Sequence, residues 1–326
     1  MKRSAVFVAG DENIYFPALV TLLSVREHNP EQFDLFMCFS GDKLTPYMKS
    51  KLKEKNINFV DTRILDEYGI KDKFPSMLEG HWPVDIFYNY VLPIYLGELG
   101  YEYSYKVDYD ILCIDKYSLN EIEPTNAFIS GWSNKVSLQR ENVTEHLIGK
   151  LISEGKIKDK TVDYMNVGFI GFNNKKYSES DMFSLFADFY RLLHDNCPKA
   201  KLLEQVAFAL VVESTKGNFK RFAEKYNHRV LSTRDTDSDF NFDTKNIHFI
   251  TRFKPWRAIE KDKVKWFVFN GGTHMYLYRN MWLEYASKID GFDYFCMERP
   301  LTTSQLAGLQ MYIVRCFNEK IKSLSS

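Results

Sequence analysis

The chain opens with a compact apolar run, Ser4 to Ala9, stopped by Gly10-Asp11. A short, continuously apolar segment closed by a turn signal reads as a strand buried on both faces, as in parallel sheets. Phe16 to Glu27 follows with helical spacing. Leu19, Leu22, Leu23 and Val25 gather around one face, and Asn29-Pro30 ends the helix. Phe33 to Phe39 reads as a strand, Leu44 to Lys55 as a charged amphipathic helix, and Ile57 to Val60 as a strand. This β-α-β-α-β opening predicts an α/β domain with a doubly wound, Rossmann-like, mostly parallel sheet flanked by helices. Its site should lie at the carboxyl ends of the strands.

Further on, Val84 to Leu99 reads as a helix with Pro93 inside it. Tyr103 to Val107 is a strand delivering Asp108-Tyr109-Asp110, and Ile111 to Ile114 is apolar again. Asn126 to Gly131 and Val167 to Phe172 are strands. The polar stretch between them, Ser133 to Asp163, is expected to be a mobile flap or acceptor-side loop. Phe183 to Leu193 and Leu202 to Val212 read as helices, and Ile247 to Ile250 as a short strand. From Gly271 the chain looks helical. The expected division is a catalytic domain over 1–260 and a mainly helical extension over 261–326, packed on it.

Lys+Arg and Asp+Glu each number 43, so the formal net charge is zero, which argues against a non-specific nucleic-acid binder. Five scattered cysteines without a C-x-x-C read as reduced thiols. The first apolar run is too short for a signal peptide, and no stretch spans a membrane. A cytoplasmic location is the expectation. A peripheral membrane contact through the tail stays open, since Lys320 and Lys322 add positive charge.

Two carboxylates one residue apart, at the end of a buried strand, supply hard oxygen ligands suited to Mg²⁺ or Mn²⁺ beside phosphates. The alternative for Asp108 and Asp110 is a solvated turn. His248 at a strand end offers a third ligand or a hydrogen-bonded core imidazole. Lys254 could meet a phosphate as a point charge. Asp11 at the first strand-to-helix turn could accept from a base or ribose, or cap the helix. Asp235 to Asp239 does not fit the EF-hand pattern: Phe240 and Asn246 stand where Gly and Glu are needed. His81, His146, His194, His228 and His274 lack partner spacing and default to structural roles. Trp132 is either a core residue or a sugar-stacking one.

Together these segments resemble the family 8 glycosyltransferases, retaining enzymes of the GT-A fold that use nucleotide-sugar donors. The resemblance runs from Val6 to Trp256: Ala9-Gly10-Asp11-Glu12-Asn13, the S-x-x-x-x-N-P of Ser24 to Pro30, Val107 to Asp110, Asn166-Val167-Gly168 with Asn173 and Lys175-Lys176, Glu204-Gln205, and Ile247-His248-Phe249 with Lys254-Pro255-Trp256. It implies that Asp108, Asp110 and His248 hold Mn²⁺ or Mg²⁺ and that Lys254 contacts the diphosphate. Ala9, Asp11, Asn13, Tyr15 and Tyr109 would hold the nucleotide. Asn166, Glu204 and Gln205 would line the donor sugar near its reacting carbon.

Three departures are visible. Asn89 stands where the family's Y-x-R-L segment has Arg, no Asp follows Gly131-Trp132-Ser133, and Glu204 replaces Asp. The resemblance thus implies a retaining, metal-dependent transfer from a UDP-sugar to a glycan, glycolipid or protein, in the setting of polysaccharide biosynthesis, with a donor that need not be glucose or galactose. Two other readings stay open. One is a degenerate nucleotide-sugar or glycan-binding module. The other is a sugar-phosphate nucleotidyltransferase, which would normally carry a Gly-rich phosphate loop where this chain has only Gly10.

Overall fold

A computed structural model describes residues 3–74, 85–197, 199–200, 202–215, 218–230, 243–250, 254–256, 273–297 and 318. The first apolar run is strand β1, Ser4–Ala9, and all six residues are buried. It lies in the middle of a seven-stranded sheet with β2 (Asp34–Phe39), β3 (Ile57–Asp61), β4 (Tyr103–Val107), β6 (Ile129–Ser137), β7 (Thr161–Asn173) and β8 (Phe219–Arg221), in the order β3-β2-β1-β4-β7-β6-β8. β1 pairs in parallel with both β2 and β4, whereas β7 is antiparallel to β4 and β6. The sheet is the mostly parallel, helix-flanked α/β sheet that the opening pattern predicts.

Alternation along β1 divides two cores. Ala5, Phe7 and Ala9 face one; Val6 and Val8 face the other. Helix Tyr15–His28 covers the Val6 side, and helices Asp85–Glu98 and Leu203–Ser214 cover the Phe7 side. Pro93 is accommodated inside helix Asp85–Glu98. Having no N–H, it leaves the Asn89 carbonyl without its i+4 donor.

The stretch expected to be a flap is built differently. β6 continues to Ser137, and β7 begins at Thr161 opposite it. Between them, helix Glu145–Ser153 is capped by Thr144 and buries Leu147, Ile148 and Leu151. Exposed charges hid this hairpin in the sequence: Lys135 lies across from Asp163 in a 3.0 Å ion pair, so the outer positions read as loop.

A second, three-stranded sheet joins β5 (Ile111–Cys113), β9 (His228–Arg229) and β10 (Asn246–His248), in the order β5-β10-β9. It sets His248 opposite Ile111, one residue past Asp110. Helices Thr273–Ala286 and Phe292–Met297 pack on the Val6 side through Tyr278, Trp282 and Phe295. The expected boundary at 260 lies outside the described residues, as do Asp235 to Asp239 and His81. Among the described residues, no helix is long and apolar enough to cross a membrane.

Candidate active site

β1 and β4 run side by side and in the same direction, so both of their carboxyl ends open on one cleft. Its volume is about 450 Å³, and its walls include Ala9, Asp11, Asn89, Asp108, Tyr109, Asp110, Asn166, Glu204, Gln205, His248 and Lys254. Eleven of the thirteen expected site residues therefore meet there, although they span the sequence from 9 to 254.

Asn13 and Tyr15 do not line it. Asn13 sits exposed in the short 3-10 turn Glu12–Ile14, its backbone N–H donating to Asp11 Oδ1 at 2.9 Å. Tyr15 is buried, and its hydroxyl donates to the Met48 carbonyl at 3.1 Å. Burial pushes that phenol up to about 12. Helical geometry explains the miss: Tyr15 starts helix Tyr15–His28 and faces helix Pro46–Glu54, not the strand ends.

Asp108, Asp110 and His248 offer one ligand atom each, all within 4.8 Å of one another. Among the described residues this is the only such group of three or more His, Cys, Asp or Glu side chains. Thr21 holds the turn that presents them, its hydroxyl shared between the Tyr109 and Ile111 carbonyls. The Asp108 N–H donates to the Gly168 carbonyl at 2.8 Å, and the Phe249 N–H to the Asp110 carbonyl at 3.0 Å.

A chain of hydrogen bonds fixes the imidazole. The Gly168 N–H donates to Asn166 Oδ1 at 3.1 Å. Asn227 Nδ2 donates to the same Oδ1 at 2.9 Å and to the Asn166 carbonyl. Asn227 Oδ1 is therefore an acceptor, and His248 Nδ1–H donates to it at 2.8 Å. The proton sits on Nδ1, so the Nε2 lone pair faces Asp110 Oδ1 at 3.2 Å and Asp108 Oδ2 at 3.6 Å. Asp110 Oδ1 is buried and has no hydrogen-bond donor among the described residues. Lone pairs converging at that distance repel unless a cation lies among them, and two carboxylates with a neutral imidazole suit a divalent ion. The residues present fit Mn²⁺ or Mg²⁺.

Gly168 makes the arrangement sterically possible, because a Cβ there would stand 2.1 Å from His248 Cε1. Lys254 donates to Asp110 Oδ2 and to the Phe249 carbonyl at 2.6 Å. Burial by itself works to raise the Asp110 pKa, but the Lys254 ammonium bonded to it works the other way, and the carboxyl stays well below the usual carboxylate range. Glu204 accepts from the Tyr90 hydroxyl at 2.6 Å, and burial pushes its carboxyl up to about 7. Asn89 donates to the Ile86 carbonyl at 3.1 Å. Tyr109 stands 6.1 Å, centroid to centroid, from Trp256. Trp132 is half-buried beneath the Arg229 guanidinium, 4.0 Å from its ring, and does not line the cleft.

Sequence reasoning missed Asn227, Tyr90 and Lys106. Nothing in the local pattern marks Asn227, which closes a 3-10 turn. Lys106 was legible in principle, as a lysine inside an apolar strand two residues before the first aspartate.

The family model "Glycosyl transferase family 8" matches residues 5–260. A search of curated protein sequences finds no match. Among solved structures, the bifunctional glycosyltransferase WbbM is similar with a TM-score of 0.60 and 12% identity; the match covers 92% of this chain and 52% of WbbM, so the chain spans about half of that protein. The galactosyltransferase LgtC, solved with donor and acceptor sugar analogues, is similar with a TM-score of 0.57 and 16% identity over 88% of this chain and 96% of LgtC. GlyE of Streptococcus pneumoniae TIGR4 gives 0.53 and 16% over 91% of this chain and 63% of GlyE. These likenesses establish the GT-A fold. With the family model spanning most of the sequence, the chain belongs to glycosyltransferase family 8.

Proposed function

We propose that this chain transfers a sugar from a UDP-sugar to a hydroxyl of a glycan, glycolipid or protein, with retention of anomeric configuration and with Mn²⁺ or Mg²⁺ bound. One observation carries the reading: His248 Nε2 and the Asp108 and Asp110 carboxylates converge at the mouth of a cleft that also holds Asn166, Gln205 and Lys254. LgtC was solved with donor and acceptor sugar analogues, which fits a cleft of this kind.

Asp108, Asp110 and His248 would hold the cation, which when bound neutralises charge on the diphosphate. Ala9 and Asp11, at the end of β1, take the nucleoside side. Lys254, already fixed by Asp110 and Phe249, offers its remaining N–H to a phosphate oxygen. With Asn166 Oδ1 occupied by Gly168 and Asn227, the Asn166 amide N–H₂ is left to donate into the cleft. Gln205 presents its amide oxygen to the reacting carbon as positive charge develops there; an amide is a weak nucleophile, so it stabilises rather than attacks. The acceptor oxygen forms its bond to that carbon on the face from which the diphosphate leaves. Its proton passes to a phosphate oxygen, and UDP departs with the bonding electron pair.

The test is a thermal-shift panel of nucleotides and UDP-sugars, with and without Mn²⁺. Ligands that bind the native state raise the melting temperature by mass action. A Mn²⁺-dependent rise with UDP and with a subset of UDP-sugars is expected. A rise with UDP but no response to any sugar would turn the reading towards a degenerate binding module, and no rise with any nucleotide would end it.

A further inference from the structure

Strand β4 carries a lysine where its neighbours ask for an apolar residue. Lys106 is 2% exposed, and its partners in register are Phe7 and Ile170, both fully buried. Tyr105 and Val107 project into one core, so Lys106 projects to the opposite face, where it lines the cleft. Burying an ammonium in such a place is costly unless its donors are paired.

Nζ is held from two sides. It donates to the Val167 carbonyl at 2.7 Å and to the Asp108 carboxylate. An ammonium has three donors, and the third has no acceptor among the described residues. Glu204 shares this wall, close enough for the lysine charge to act on its carboxyl. Glu204 Oε1 is taken by Tyr90. Asn89 brings no charge here and has turned its amide to Ile86. The wall therefore presents one fixed cationic donor and one carboxylate, on a cleft otherwise bordered at this end by Ile86, Val167 and Leu203.

We propose that Lys106 is a donor-sugar specificity residue: with Glu204 it brackets one hydroxyl of the transferred sugar, the ammonium donating to that oxygen and the carboxylate accepting its hydrogen. The proposal rests on the glycosyl-transfer reading above. It makes the preferred donor a sugar with a hydroxyl at the bracketed position. The analogue lacking that hydroxyl is rejected because it leaves the buried Lys106 donor and the half-buried Glu204 acceptor unpaired.

The experiment is calorimetric titration of the full chain with Mn²⁺ present, using UDP, UDP-glucose, UDP-galactose and their monodeoxy analogues. The quantity read is the ratio of dissociation constants, deoxy over parent, within one protein, so any general loss of metal or UDP affinity cancels. For the preferred donor, one deoxy position in the wild type should cost roughly tenfold or more, as for a hydrogen bond to a charged group. In Lys106→Met that ratio should fall towards one, while the other positions keep theirs. The melting temperature should fall but the variant should stay folded, because the Val167 carbonyl loses its donor while the methionine packs beside Phe7 and Ile170. Should this variant not fold, Glu204→Gln is expected to lower the ratio at the same position. A ratio unchanged in the variants overturns the proposal, as does an equal loss for UDP and UDP-sugar, which would mean that Lys106 acts only through Asp108. A wild type that binds UDP but discriminates at no deoxy position also overturns it. A wild type that binds no UDP in the presence of Mn²⁺ overturns the glycosyl-transfer reading as well, so the two failures are told apart.

Discussion

Replacing Gly168 with alanine drives a methyl group into the His248 imidazole. The added Cβ would stand 2.1 Å from Cε1, 2.5 Å from Nδ1 and 2.9 Å from Nε2. Ordinary contact begins at 3.4 Å, so the 2.1 Å gap must open by about 1.3 Å, through the ring or through β7. Neither yields freely. The ring is 3% exposed, and its Nδ1–H is tied to Asn227 at 2.8 Å. β7 is hydrogen-bonded on both sides, and the Gly168 carbonyl holds the Asp108 N–H. A shift of that size takes the Nδ1–H out of hydrogen-bond range and swings Nε2 away from the carboxylates. Overpacking of this kind costs about 1–3 kcal/mol, less than the total stability of most domains, so the variant should fold. Disturbing the groups that orient a ligand typically costs about 10–100-fold in metal affinity. Titration of Mn²⁺, followed by the loss of its free-ion EPR signal, should show a dissociation constant raised by roughly tenfold or more, with only a modest fall in melting temperature. Unchanged Mn²⁺ affinity in a folded variant would refute the placing of His248 over Gly168 as a ligand.

Asn227→Ala should release the His248 tautomer and weaken Mn²⁺ binding by roughly tenfold; ring ¹⁵N shifts that still report a proton confined to Nδ1 would contradict this. Glu204→Gln tests the raised carboxyl. Its folded pKa, about 7, lies above the ordinary 4.5, so ionising it costs stability that is progressively lost as pH rises between those values. The stability of the variant relative to wild type should therefore grow across that interval, by about 1–2 kcal/mol after allowing for solvent screening of a half-buried group, and then level off. Parallel melting curves from pH 4 to pH 8 would refute it. Lys254→Ala should weaken UDP by roughly tenfold while leaving uridine nearly unchanged, because the ammonium acts on phosphate; equal losses in titration calorimetry would exclude that role.

Elements whose burial is uniform or cleanly periodic were legible in the sequence. β1 and β4 have the predicted bounds, and helix Asp85–Glu98 survives its proline as predicted. Legibility fails where the solvent-facing side of an element carries charge. Residues 133 to 163 read as loop because Lys135 and Asp163 satisfy each other across a hairpin that local sequence cannot pair. In the site, side chains that touch the cleft could be placed by family resemblance. Those that act one step behind it could not. Asn227 matters only because Asn166, 61 residues away, fixes which end of its amide faces His248. The resemblance also placed Tyr15 with the nucleotide. One helical turn of geometry sends it to Met48 instead.

Two of the chain's three departures from the family pattern, Asn89 and Glu204, line the cleft. Asn89 stands beside Tyr90, Tyr90 bonds Glu204, and the Lys106 charge acts on Glu204. A change at one of these residues alters the hydrogen bonds open to the others, so they are best read as a set. In that set the cation comes from a strand inside the sheet, where two fixed acceptors already hold it, and little conformational entropy is left to lose when a substrate arrives. Asp11, Asp108, Asp110, His248 and Lys254, which line the same cleft, all follow the family pattern. A cleft altered at Asn89 and Glu204 and kept at these five residues is expected to differ from its relatives in which sugar it accepts. How the diphosphate is gripped should stay the same.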